Sequence, residues 1–154
     1  MRLGLLSVAM LASCSLFMHS IEKPSAKVRG VTMGSAGLGG VSGELALDVT
    51  NPNSFGVPLS GIDWQLSIGG TRAVTGSAQL SETIPARGVA PVKTTLSIGT
   101  SDAIAVGSVL ARGARDYQID VRLHFSTTVG PIDVDVRQTG QLGADGGVAL
   151  RITP

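Results

Sequence analysis

The stretch LALDVTNPNSFGVPLSGIDWQLSIGG, Leu45 to Gly70, decides the fold. Leu45, Leu47 and Val49 alternate with Ala46, Asp48 and Thr50. Ile62, Trp64, Leu66 and Ile68 alternate with Asp63, Gln65, Ser67 and Gly69. Side chains on a strand point to opposite faces in turn, so period-two alternation marks two strands with one buried face each. Asn51-Pro52-Asn53 lies between them. Asn side chains close turns on their own backbone, and Pro fixes φ and offers no N–H, so this tripeptide predicts a turn. Phe55, Val57 and Leu59 add apolar residues to the connection, which therefore packs down, and Pro58 limits it to an edge or an irregular run. Gly69-Gly70 is a hairpin signal.

Further strands appear on both sides. Upstream, Val28 to Met33 alternates weakly, and Gly34 to Gly43 (GSAGLGGVSG) reads as a flexible loop. This run does not match the dinucleotide fingerprint: counting from Gly37, the third glycine is replaced by Ser42, and a strand follows instead of a helix. Downstream, Thr71 to Leu80 returns as a partner strand and TIPARG, Thr83 to Gly88, reads as a turn. Val92, Thr94, Leu96 and Ile98 alternate again. Ile104, Val106, Val109 and Leu110 change to a helical period, with Thr100 or Ser101 as N-cap, Asp102 at the positive end and Gly113 as the stop. Tyr117, Ile119, Val121, Leu123 and Phe125 give the cleanest alternation of all. Ile132, Val134 and Val136 follow the Gly130-Pro131 turn, and Val148 to Ile152 is a last edge strand or a loose end. About seven short strands with one late helix predict an all-β sandwich.

Composition narrows the function. The chain has 154 residues, enough for one domain that folds without a metal or disulfide. Charged residues are 15%, the net charge is +1 and aromatic residues are 3%, a poor match to nucleic-acid binding, which needs clustered cations and stacking surfaces. The apolar fraction of 43% argues against disorder.

The lone Cys14 has no internal partner. Met1-Arg2 is a positive start, Leu3 to Leu11 an apolar run, and Leu11-Ala12-Ser13-Cys14 follows: a secretory signal, too short to span a membrane once mature. The LASC end resembles the lipobox of bacterial lipoproteins, in which the cysteine becomes the lipidated N-terminus; an ordinary signal peptide with a chance cysteine is the alternative. The expected layout is a signal at 1–13, a lipidated tether at 14–25 and a sandwich at 26–154. Without Arg2 the chain keeps eleven basic and eleven acidic side chains, so lipid rather than charge provides the anchor. The expected address is the bacterial envelope, and Ser15, in place of an aspartate, favours the periplasmic side of the outer membrane.

Chemistry is sparse. Asp133 and Asp135 share a strand face, but Arg137 continues it and Asp120, Arg122 and His124 form a matching row, as on a solvated sheet face. There is no nucleophile elbow, no H-E-x-x-H and no Cys/His cluster. His19 sits in the tether as a solvated residue, and Trp64 is a core position. No catalytic residue, metal or cofactor is expected.

Asn51-Pro52-Asn53 with Phe55, Leu59-Ser60-Gly61-Ile62-Asp63-Trp64, Gly69-Gly70 and Thr75-Gly76 resembles the WHy-type domain of the late-embryogenesis-abundant type 2 family, over about Lys23 to Leu142. Trp64 stands where that family often has Tyr. The resemblance implies an immunoglobulin- or fibronectin III-like β-sandwich with one short helix, an association with desiccation and other stress, and no catalytic residues; bacterial members are often small lipoproteins. Two roles fit: a protective envelope domain, or a module that binds a lipid, an apolar ligand or a partner. For the second role the natural mouth is Leu38 in the Gly-rich run with Phe55, Val57 and Leu59 in the connection.

Overall fold

The computed structural model describes residues 21–141, except the side chains of 33–37. The signal segment, Cys14, His19 and the end beyond Gln141, with its expected last strand, lie outside the described residues. Seven strands and one helix follow in order: β1 (Ser25–Gly37), β2 (Gly40–Thr50), β3 (Val57–Ile68), β4 (Thr71–Ile84), β5 (Val89–Ile98), α1 (Thr100–Ala111), β6 (Asp116–Thr127) and β7 (Gly130–Gln141). They form two antiparallel sheets, β1-β2-β5 and β4-β3-β6-β7. A constant immunoglobulin domain places its fourth strand in the same sheet as the first, next to the fifth; here β4 pairs with β3 in the other sheet, giving three strands against four.

The alternating residues meet between the sheets. Leu45, Leu47 and Val49 face inward from β2, and Ile119, Leu123 and Phe125 from β6, all at most 1% exposed. β3 changes phase within itself. Val57 and Leu59 are buried at odd positions, Ile62 to Ile68 at even ones; Ser60 is the extra residue against β6, and at the same point the β3–β4 ladder shifts register with its extra residue on β4, between Gln79 and Glu82. The Ser60 hydroxyl donates to the His124 carbonyl oxygen at 2.9 Å. The segment expected to be an irregular connection is thus the start of an interior strand. Pro58 is tolerated because it pairs only with Thr83 of β4, while pairing with β6 begins at Leu59.

Three local expectations are corrected. The Gly34–Gly43 run is no loop: β1 and β2 continue through it to a turn at Leu38-Gly39. Glycine hides the alternation because it offers no side chain to either face. Gly40 has φ +112, and a Cβ there would lie 2.0 Å from the Ile98 carbonyl oxygen, so neighbouring β5 demands glycine. Thr83 and Ile84 belong to β4, and the turn begins at Pro85. The helix is capped at Gly99 with no side-chain hydrogen bond, while Asp102 and the positive-φ Gly113 stand where the pattern puts them. Val109 pins α1 to the core at 8% exposure, with Ala103, Val106 and Leu110 partly buried beside it.

Candidate functional site

The Asn51-Pro52-Asn53 motif sits at the end of β2 where the chain crosses between sheets. Both asparagines are buried, Asn51 at 0% and Asn53 at 6% exposure, which requires that their polar atoms be paired. They are. The Asn51 amide donates to the carbonyl oxygens of Phe55 (2.7 Å), Ile84 (3.1 Å) and Pro85 (3.1 Å). Its Oδ1 accepts from the Asn53 backbone N–H (3.0 Å) and from the Asn53 amide (2.9 Å). Asn53 in turn holds Glu22: its Oδ1 accepts from the Glu22 N–H and its amide donates to the Glu22 carbonyl oxygen, both at 2.8 Å. Backbone bonds from Asn51 N–H to Gly88 and from Arg87 N–H to Asn53 close the arrangement. One motif therefore ties the incoming chain, the β2–β3 loop and the β4–β5 turn together across both sheets. Pro52 is exposed beside it.

The four residues expected at a ligand mouth do not converge. Val57 is 0% and Leu59 1% exposed, inside the core. Leu38 is fully exposed at the β1–β2 turn and Phe55 is 39% exposed beyond the other end of β2. At about 3.3 Å per residue, β2 separates these two by more than ~30 Å. The described concavities lie elsewhere. One is an open groove on the outer face of the four-stranded sheet, where the side chains of Asp63, Gln65, Asp120, Arg122, Asp135 and Arg137 stand. A second lies between Ser67, Tyr117 and Gly140. The apolar niche under α1 holds only about 10 Å³, near the volume of one water probe.

The outer face of that sheet carries the charged residues in cross-strand rows. Arg122 Nε meets Asp135 Oδ1 at 2.7 Å, and Arg137 Nε meets Asp120 Oδ1 at 2.5 Å. His124 stands between two carboxylates, Nδ1 at 2.8 Å from Asp133 and Nε2 at 2.8 Å from Asp63. Hydrogen bonds to Asp63 and then Asp133 raise its pKa above the usual histidine value. The bond from Arg122 holds Asp135 below the ordinary carboxylate range. Burial alone would raise Asp120, but bonds from Arg137 and Gln118 outweigh it and lower it. Burial raises the Tyr117 hydroxyl.

The expected solvated rows of β6 and β7 are thus present; the partner missed was Asp63. Its outward phase on β3 was readable, but its meeting with His124, 61 residues away, depends on the β3–β6 register. With a carboxylate against each ring nitrogen, His124 is an electrostatic staple whenever its imidazole is protonated. Among the described residues no group of three or more His, Cys, Asp or Glu is placed to hold a metal, and no helix is long and apolar enough to cross a membrane.

Comparison with known proteins agrees with this architecture. None of the curated proteins matches the chain in sequence. Among solved structures, it is similar to an Arabidopsis thaliana protein with TM-score 0.68 and 18% identity, covering 84% of this chain and 88% of the other. A candidate late embryogenesis abundant (LEA) protein aligns with TM-score 0.58 and 25% identity over 82% and 74% of the two chains. A protein from Archaeoglobus fulgidus aligns with TM-score 0.61 and 12% identity over 82% and 98%. The family model LEA_2, described as "Late embryogenesis abundant protein", matches residues 46–140, from mid-β2 nearly to the end of β7. The chain belongs to the late embryogenesis abundant LEA_2 family.

Proposed function

We propose that this protein is a non-enzymatic lipoprotein of the bacterial envelope, attached through Cys14, whose LEA_2 sandwich of WHy type protects its surroundings during desiccation and related stress. The observation that carries this reading is the filled space between the sheets. Leu45, Leu47, Val49, Val57, Ile84, Val92, Ile119 and Leu123 are all 0% exposed and leave the described core packed. The LASC sequence supports the anchor, and family membership supports the stress role. A second reading, a module binding a lipid, an apolar ligand or a partner at the outer membrane, draws support from exposed Leu38 and Phe55.

The test is native mass spectrometry of the protein purified from envelopes in mild detergent, followed by drying with a dehydration-sensitive enzyme. The protective reading expects acyl mass on Cys14 alone, and more enzyme activity after rehydration than an equal mass of serum albumin preserves. Equal recovery with albumin sinks it, and a non-covalent lipid in fixed ratio establishes the second reading.

A further inference from the structure

We infer that the pole of the sandwich carrying Phe55, Arg87, Val89 and Val129 rests on the surface of a lipid bilayer. Strand register places these residues at one end. Val57 pairs with Ile84, so Phe55 and the Pro85–Gly88 turn project together. Thr50 pairs with Val89. Leu59 pairs with Phe125 and Thr127 with Gly130, so Val129 projects beyond β6 to the same level. Phe55, Val89 and Val129 are 39%, 58% and 72% exposed, three of the five large apolar side chains exposed among the described residues. Arg87, exposed at the tip of its turn with φ +50, adds a cation suited to anionic headgroups.

The occupant follows from where the chain comes in. Asn53 fixes Glu22 at this pole, and Cys14 lies eight residues before it. Eight residues span at most about 28 Å when extended, so an acyl group on Cys14 holds this pole near the membrane. The other exposed apolar residues, Leu38 and Ile104, belong to the far end. Strands of twelve residues put that end about 40 Å further out. The inference rests on the anchored reading above and adds an orientation to it: strands upright, the Asn51 knot beside the headgroups, α1 away from them.

The test uses the full-length protein purified from envelopes and placed in phosphatidylethanolamine–phosphatidylglycerol vesicles with brominated acyl chains, which quench tryptophan on contact. Val129→Trp and Ile104→Trp replace exposed residues, and buried Trp64 gives both the same background. The expected result is a blue-shifted, quenched emission for Val129→Trp and none for Ile104→Trp, with the quenching reduced when Phe55→Ser or Val89→Ser is added. Equal quenching at the two positions, no quenching at 129, or indifference to both serine variants overturns the inference. Mass analysis of the N-terminal peptide is a separate readout: an unacylated Cys14 removes the anchor reading, while the quenching contrast still decides the orientation.

Discussion

The indole of Trp64 occupies the space that a side chain on Gly76 would need. The two residues face each other across β3 and β4, and a Cβ on Gly76 would lie 2.2 Å from Trp64 Cζ2. Tyr117 covers Gly140 in the same way across β6 and β7, with its hydroxyl 2.5 Å from the Cβ position. Gly76→Ala is therefore expected to destabilise the fold by about 1–3 kcal/mol through overpacking. Trp64→Phe in the same chain should recover part of that loss, because the smaller ring vacates the contested space. Urea unfolding of the two single variants and the double variant checks this coupling; strictly additive effects would refute it.

The asparagine knot makes a sharper demand. Asn51→Asp keeps the shape but turns a donor to three carbonyl oxygens into an acceptor. Leaving buried polar groups unpaired costs about 1–3 kcal/mol each, so a loss of roughly 3 kcal/mol or more is expected. Thermal denaturation reads it directly. Pro52→Ala, at the exposed centre of the same motif, should change the midpoint far less.

The charged face predicts a pH dependence with a definite sign. His124 has a folded pKa above its unfolded value of about 6.5. Its contribution is complete below that value and is lost as pH rises through the folded pKa. Asp120 and Asp135 are held low, so their contributions are present above the unfolded carboxylate range and disappear as pH falls through their folded values. Stability should therefore be greatest in mildly acidic solution. His124→Gln should flatten the decline as pH rises above the unfolded histidine value of about 6.5, measured by urea midpoints at low salt. His124 is partly solvated, so the effect of this substitution should be below about 1 kcal/mol and shrink with added salt.

The helix provides a contrast within a single element. Val109→Ala should loosen α1 and cost about 1–2 kcal/mol, whereas Ile104→Ala, at 69% exposure, should stay within about 0.5 kcal/mol. Hydrogen exchange in residues 100–111 would show faster opening for the first variant alone.

What could be read in advance follows from how far each interaction reaches along the chain. Leu45 to Val49 and Tyr117 to Phe125 declared their faces because alternation is local. The bulge at Ser60 was hidden because either phase of β3 looks apolar when read alone. The Gly-rich hairpin was hidden because its stability comes from backbone ladders and the proximity of Ile98, which leave no mark in hydropathy. At the site, Asn51 and Asn53 announced a turn, yet Asn51 finds two of its acceptors 33 and 34 residues away, at Ile84 and Pro85. The same holds for Asp63 and His124: each was visible, and only strand register joins them.

The paired hydrogen bonds between Asn53 and Glu22 also have a mechanical consequence. Tension on the chain ahead of Glu22 reaches this clamp before it reaches Ser25, the first residue of β1. The load passes through Asn53 into Asn51 and from there to β2 and to the β4–β5 turn, so both sheets share it. A pull that would otherwise peel β1 from β2 one hydrogen bond at a time is taken up first by a cleat at the foot of the molecule.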